Sequence, residues 1–134
     1  MGVLARADAD FLRAAVEGQR PEARRLVGPE VGLIQLRARA PVTGTPFHLG
    51  EATVTRCVVE VEGRRGYAVV LGSDAGRAEL AAILDALLQD PDRHAALAAA
   101  LLEPATAAIA ERRRRRAGAA RATAAHFFTT ARTP

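Results

Sequence analysis

The chain has 134 residues, of which 49% are hydrophobic, and this fits a single domain. Much of the hydrophobic fraction is alanine, which buries little area, so we expect a thin core that a partner would stabilise. The net charge of +4 is unevenly distributed, because residues 1–110 carry 12 arginines and 14 acidic residues whereas residues 111–134 carry 7 arginines and one acidic residue. Basicity is therefore a property of the C-terminal end and not of the whole domain.

Cysteine and apolar content indicate the compartment. The single cysteine, Cys57, excludes an internal disulfide and is typical of a reducing environment. No apolar run is long enough for a signal peptide or for the ~20 residues of a membrane span. We expect a cytoplasmic protein that makes no membrane contact.

The N-terminal third is predicted to be helical. Asp8 or Asp10 is positioned to cap a helix that ends near Gly18. Pro21 suits the first turn of a second, short helix over residues 21–27. These two segments predict an N-terminal helical pair.

The apolar period then changes from helical to two. Alternation over residues 31–40 predicts a half-buried strand. A second strand is expected from about Glu51 to Glu62, and a third from Tyr67 to Leu71. The third is apolar on both faces and is expected to be covered on both. Together they predict a three-stranded antiparallel meander.

Helical spacing returns in the C-terminal half, where five large apolar residues form one stripe: Leu80, Ile83, Leu84, Leu87 and Leu88. Asp90 is predicted to cap the next helix, with Pro91 at its first position. Pro104 is expected to interrupt the helical segment again, before a weakly packed helix. The fold class is therefore α+β, with one domain over residues 1–116 and a C-terminal helix end and tail over residues 117–134.

The run Arg112–Arg116 is the strongest charge feature. It would bind an anion, and the alternative function to weigh is a stand-alone nucleic-acid-binding protein. Five successive helical residues point in all directions, however, and no aromatic residues interleave to stack bases. The pattern favours a solvated or partner-facing collar, and nucleic acid is not the expected partner.

The remaining polar residues do not assemble a self-sufficient active site. His48 and Glu51 stand three apart but in an extended segment, and His94 and His126 are remote, so no metal site is predicted. Cys57 is predicted to be buried in a strand, as a bystander without a chemical role. Arg56 lies on an apolar strand face and requires an anion, either from a partner or from a buried ion-paired network with Glu51.

The stretch TGTPFHLGEATVTRCVV resembles the hallmark segment of the PhnG family, the small subunit of the bacterial carbon–phosphorus lyase core complex. That family reads TG-x-x-F followed by GEAT-x-TR. The segments VGLIQLRAR, GYAVVLGSDAGRAELAAILDALLQD and HFFTTART are also similar to family segments, in the same order. The chain departs from the family at its C-terminal end, where His126 replaces an aspartate and Thr133 replaces a glycine.

The resemblance implies a subunit of a cytoplasmic hetero-oligomer for phosphonate catabolism. In that system the G, H, I and L proteins support displacement of adenine from MgATP by a phosphonate, giving α-D-ribose 1-methylphosphonate 5-triphosphate. The J protein then breaks the carbon–phosphorus bond, and the G subunit packs against the I subunit. By this resemblance the chain is an accessory subunit of a transferase, with MgATP as substrate of the complex and no cofactor held by this chain alone. An independent ATP-using enzyme is a further alternative.

If any residue of this chain contacts nucleotide or phosphonate, the candidates are Arg56, Glu51 and His48. Arg56 would pair with an anion, and Glu51 would fix Arg56 or a metal-bound water. A purely structural role for all three is the alternative. The subunit interface is predicted to comprise the motif residues Thr43, Gly44, Phe47, Gly50, Glu51, Thr53, Thr55 and Arg56.

Overall fold

A computed structural model describes residues 1–19 and 21–123. A short 3₁₀ turn, Leu4–Arg6, precedes helix α1. The elements then follow in the order α1 (Ala9–Gln19), β1 (Ala23–Arg39), β2 (Pro46–Val61), β3 (Arg64–Leu71), α2 (Ala75–Leu87), α3 (Pro91–Leu97), a π-helical turn (Ala98–Leu102) and α4 (Glu103–Ala122). The α+β class and the antiparallel meander are confirmed.

The three strands form one sheet in the order β1-β2-β3. β1 and β2 pair antiparallel along their whole length, from Ala23 opposite Val61 to Arg39 opposite Pro46. β3 is shorter and pairs only with the second half of β2, from Val54 opposite Leu71 to Val61 opposite Arg64. The first half of β2 therefore has a neighbour on one side only.

Helix α2 covers one face of the sheet. That face presents small and β-branched side chains, among them Cys57, Val59 and Val70, all fully buried. They pack against the alanine-rich side of α2, and Leu4 and Leu12 close the N-terminal edge of this core. Small residues let the helix approach the strands closely, so the core is thin but dense.

Gly66 on β3 marks the closest approach between helix and sheet. A Cβ at this position would overlap the Ala82 carbonyl oxygen and lie 2.7 Å from the Ala86 nitrogen. Only glycine fits here, because the obstacle is helix backbone and cannot move aside as a flexible side chain would.

The predicted second N-terminal helix is wrong: residues 23–27 begin β1. A seven-residue helical segment ahead of Gly28 and Pro29 is too short to be stable alone, whereas pairing with β2 supplies a hydrogen-bonded ladder. Two ion pairs also hold this part of the strand: Arg24 Nη2 lies 2.9 Å from Glu60 Oε1, and Arg25 Nε lies 2.6 Å from Glu79 Oε1 on α2.

The expectation that the third strand is covered on both faces is also wrong for this chain. Gly66, Ala68 and Val70 are buried against α2. On the opposite face Tyr67 is 48% exposed and Leu71 is 67% exposed. The apolar character of that face therefore has no explanation in the packing of the described residues.

The C-terminal helices follow the sequence pattern closely. The Asp90 carboxylate accepts a hydrogen bond from the Asp92 nitrogen and caps α3, with Pro91 in its first turn. Pro104 does not interrupt the helical segment as expected, because it lies in the first turn of α4, directly after the π-helical turn. Residues 117–122 continue α4; the predicted tail, with His126 and the HFFTTART segment, lies outside the described residues.

Candidate docking surface

The strands β1 and β2 run well past the rest of the sheet as a two-stranded ribbon. We call residues 33–53 the arm: Leu33 lies opposite Thr53, and the ribbon turns between Arg39 and Pro46. β3 first joins at Val54, so no third strand supports the arm. Seven residues per strand give a length of roughly 23 Å.

The arm exposes large apolar side chains. It carries six of the eleven that are exposed among the described residues, namely Leu33, Ile34, Leu36, Val42, Phe47 and Leu49. The exposures of Leu33 and Leu49 are 64% and 62%. An isolated two-stranded ribbon is marginally stable in water at best, and a concentration of exposed large apolar side chains on one element is typical of an interaction site.

The sheet face opposite α2 is the second part of the surface, which we call the open face. A shallow pocket of about 290 Å³ lies on it and is lined by the residues Glu30, Val31, Gly32, Leu33, Ile34, Val54, Arg56, Tyr67 and Val69. The pocket combines an apolar floor with one ion pair, Arg56 with Glu30. This arrangement suits a partner side chain better than a reaction, because the described lining holds no nucleophile paired with a base.

Arg56 is held by Glu30 and not by Glu51. Arg56 Nε donates to Glu30 Oε1 at 2.8 Å, and its Nη2 contacts the same oxygen. The two residues are directly opposite in the β1–β2 register. Both side chains are about half exposed, at 50% and 51%, so the expected buried network of Arg56 with Glu51 is wrong. Glu51 lies opposite Gln35, on the other face of the strand.

Two motif residues have clear structural roles. Gly50 has a φ of +146°, which L-residues rarely adopt, and it adjoins a bulge at Leu49, which has no partner in the register between Leu36–Gly50 and Arg37–His48. Thr55 is fully buried: its hydroxyl donates to the Gly72 carbonyl oxygen at 2.7 Å and accepts from the Asp74 nitrogen at 3.0 Å. Thr55 thus fixes the connection between β3 and α2.

The other candidate residues are distributed along the arm. Thr43, Gly44, Phe47, Glu51 and Thr53 all lie on it and are exposed. His48 lies opposite Arg37 near the tip, far along the ribbon from Arg56. No group of three metal-ligating side chains forms within residues 1–19 and 21–123. The structure therefore separates His48 from Arg56 and gives neither of them a catalytic partner among the described residues.

Cys57 is buried and free. Burial raises the pKa of its thiol, and the nearby Glu79 carboxylate raises it further. A thiol held protonated and away from solvent is a poor nucleophile. The structure confirms that Cys57 is buried.

The run Arg112–Arg116 is spread around α4, and all five side chains are exposed. Glu111 Oε2 lies 2.8 Å from Arg114 Nη2, and Glu111 Oε1 lies 3.0 Å from Arg115 Nε. These bonds lower the pKa of Glu111. Arg112 turns instead towards the N-terminus of the chain, where its Nη2 donates to the Arg6 carbonyl oxygen at 2.8 Å. The run therefore forms no single basic face that would follow a nucleic-acid backbone.

The described helices include none that combines the length and hydropathy needed to cross a bilayer.

Sequence comparisons identify relatives across the whole chain. The family model for "Phosphonate metabolism protein PhnG" matches residues 1–133. A curated relative from Rhizobium meliloti (strain 1021), the "Alpha-D-ribose 1-methylphosphonate 5-triphosphate synthase subunit PhnG", is 42% identical over 135 residues. That alignment covers 98% of this chain and 86% of the relative. Neither match supports the nucleic-acid-binding alternative.

Proposed function

The chain belongs to the PhnG family, and we propose that it is the corresponding subunit of an α-D-ribose 1-methylphosphonate 5-triphosphate synthase. Its role in that complex is to assemble and support the catalytic subunit. We expect no complete catalytic set from this chain, in line with the absence of one among residues 1–19 and 21–123. Assembly takes place in the cytoplasm, where phosphonate catabolism would use the product.

The single observation that carries this proposal is the exposed apolar arm. Six large apolar side chains on a ribbon without a third strand are difficult to explain in a protein that acts alone. A partner that packs on the arm removes these side chains from water, at about 25 cal/mol per Å² of apolar area. The same contact would complete a sheet that is otherwise supported on one side only.

The expected partners are the I, H, J and L proteins of the phosphonate pathway, with the I subunit as the direct neighbour. MgATP enters as substrate of the complex and is not held as a cofactor by this chain. This assignment follows the product named for the relative, a 5-triphosphate. It also agrees with the open face, whose pocket offers an ion pair and apolar contacts but no catalytic group.

Within the interface we assign the motif residues two kinds of role. Thr43, Gly44, Phe47, Glu51 and Thr53 are exposed on the arm and contact the partner directly. Gly50 and Thr55 act indirectly, through the bulge and through the β3–α2 connection. Arg56 remains the first candidate for an anionic group, since Glu30 occupies its Nε and Nη2 but not its Nη1.

Reconstitution of the synthase tests the proposal. The purified chain is incubated with MgATP and methylphosphonate, alone and together with the co-expressed partner subunits, and released adenine is measured. We expect no adenine release by the chain alone, release by the complete set, and loss of release when this chain is omitted. Turnover by the chain alone would establish the independent enzyme instead. An unchanged rate without the chain would refute its role as a subunit.

A further inference from the structure

Four arginine side chains line one pocket where the N-terminal 3₁₀ turn, the end of β3, α2 and α4 meet. We propose that this pocket binds the phosphate groups of a polyphosphate anion. Its volume is about 350 Å³, and its lining consists of Ala5, Arg6, Leu71, Arg77, Arg112 and Arg116. None of these residues is acidic. We call this set the arginine pocket.

Three of the four guanidinium groups donate to a backbone oxygen, and the first of them is Arg6, whose Nε donates to the Gly2 carbonyl oxygen at 2.8 Å. Arg112 and Arg116 are four residues apart on α4 and so share one side of the helix. Arg112 Nη2 donates to the Arg6 carbonyl oxygen at 2.8 Å, which ties α4 to the 3₁₀ turn. Arg77 Nη2 donates to the Leu71 carbonyl oxygen at 2.6 Å. Backbone oxygens orient Arg6 and Arg112 without neutralising them, whereas Arg77 also has the Asp74 carboxylate within ion-pair distance.

The position of Arg77 depends on the buried hydroxyl of Thr55. That hydroxyl accepts a hydrogen bond from the Asp74 nitrogen, and Asp74 in turn caps α2 by accepting from the Arg77 nitrogen at 2.9 Å. The hallmark strand is thereby linked to the arginine pocket through one helix cap. The cap thus fixes the backbone from which Arg77 reaches the pocket.

No acidic residue lines the arginine pocket, and three of its four arginines have no carboxylate partner among the described residues. Arg6, Arg112 and Arg116 form no ion pair within residues 1–19 and 21–123. Arg77 Nε is inaccessible to water and makes no hydrogen bond among the described residues, with Asp74 Oδ2 3.7 Å away. By contrast, Arg25 and Arg56 each donate a hydrogen bond to a carboxylate.

Four clustered cations with a single carboxylate nearby repel one another, and a bound anion relieves that repulsion. The guanidinium fork matches phosphate oxygens in geometry, since it donates two parallel hydrogen bonds. Four such groups around one cavity exceed what a single phosphate requires and suit a chain of two or three phosphates. The site itself is inferred from geometry alone; the choice of a triphosphate as the preferred length rests on the proposed function.

Isothermal titration calorimetry on the full-length chain tests the site, with sodium tripolyphosphate and ATP as probes in 150 mM salt. The test variant is Arg112→Gln with Arg116→Gln. The matched control is Arg113→Gln with Arg121→Gln, which removes the same charge from the same helix outside the pocket. We expect one tripolyphosphate to bind per chain. Its affinity should fall about tenfold or more in the test variant and less than about threefold in the control.

A second variant guards against misfolding. Arg112 anchors α4, whereas Arg116 has no partner among the described residues. The variant Arg116→Gln should therefore fold normally and still weaken the binding of tripolyphosphate about threefold or more. Similar affinity for ATP and tripolyphosphate supports recognition of the phosphate chain. Binding of ATP alone, equal weakening in the control, or no binding by the wild type overturns the proposal.

Co-purification of the same variants with the partner subunits separates this proposal from the previous one. If Arg116→Gln assembles normally but binds tripolyphosphate weakly, the arginine pocket is a ligand site in an intact subunit. If the wild type binds no tripolyphosphate and Arg112→Gln with Arg116→Gln loses assembly, the pocket receives an acidic surface of a partner and the ligand proposal is wrong. A wild type that binds tripolyphosphate but joins no complex would refute the proposed function and leave the pocket standing.

Discussion

Replacement of Thr55 by valine removes one oxygen from the core while its shape is kept. The hydroxyl makes two hydrogen bonds, to the Gly72 carbonyl oxygen at 2.7 Å and from the Asp74 nitrogen at 3.0 Å. Because Thr55 is fully buried, valine leaves both backbone groups short of a partner. An unsatisfied buried group costs about 1–3 kcal/mol, and the added methyl returns part of this, about 0.8 kcal/mol. Gly72 is half-buried and Asp74 is exposed, so the lower half of that range applies: about 1.5–2 kcal/mol for each of the two groups, less this return, gives an expected loss in free energy of unfolding of about 2–3 kcal/mol.

Thermal unfolding followed by circular dichroism measures this loss, and for a chain of this size it corresponds to a fall in Tm of roughly 6–12 °C. The matched control is Thr53→Val, two residues earlier on the same face, where the side chain is exposed. We expect the control to change stability by less than about 0.5 kcal/mol. Equal effects of the two substitutions would show that the Thr55 hydroxyl does not hold the β3–α2 connection.

Three further predictions follow from single contacts. Gly66→Ala forces β3 away from α2, because the new Cβ meets helix backbone at Ala82 and Ala86; we expect a loss of about 3 kcal/mol or more by urea unfolding, and a loss below 1 kcal/mol would contradict the close approach. The folded-state pKa of Glu111 is lowered, so its pairs with Arg114 and Arg115 stabilise the fold at pH values above the unfolded-state pKa near 4.5, and this contribution is lost as the pH falls through the lowered pKa. The difference in Tm between wild type and Glu111→Gln should therefore shrink below about pH 4.5. A difference in Tm that does not depend on pH would show that these pairs do not stabilise the fold. Cys57 should react with a thiol reagent in the folded chain at least about 100-fold more slowly than in denaturant at the same pH, because its thiol is buried with a raised pKa; comparable rates would refute its burial.

Helix α2 shows what local pattern alone predicts well. Its leucine stripe has helical spacing, and the structure buries Ile83, Leu84 and Leu87 on the sheet. The start of α3 is predicted equally well from the sequence, because Asp90 accepts a hydrogen bond from a nitrogen only two residues away and Pro91 lies in the first turn. Signals of this kind are contained in one short segment and do not depend on the rest of the fold.

The start of β1 shows where local pattern fails. Residues 23–27 have helical propensity, but the β2 partners that convert them to strand lie more than thirty residues away. The partner of Arg56 was missed for the same reason: Glu30 faces it only once the register of β1 and β2 is known. The sequence offered a carboxylate near Arg56 in Glu51, yet an odd separation along a strand places the two on opposite faces.

The arginine pocket could not be found from sequence at all. Its members come from the 3₁₀ turn, α2 and α4, and the contact from Arg112 to the Arg6 carbonyl oxygen spans 106 positions. The run Arg112–Arg116 indicates a basic helix, but the sequence alone does not distinguish one of its arginines from another. Only the structure distinguishes Arg114 and Arg115, which are paired with Glu111, from Arg112 and Arg116.

The arm is the feature on which the proposed function depends, and it can be altered without touching the core. Leu33→Ser with Leu49→Ser changes two side chains that are more than 60% exposed, so the Tm of the isolated chain should change by no more than a few degrees. Leu33→Met with Leu49→Met is the matched control, because it keeps both positions apolar.

The most direct test is co-purification of the tagged chain with the I, H and J proteins after co-expression. We expect one stable assembly for the wild type and for the methionine variant. For the serine variant we expect a folded chain that elutes alone. A wild-type chain that elutes folded and without partners, or a serine variant that assembles as well as the wild type, would contradict the claim that the arm docks this subunit into its complex.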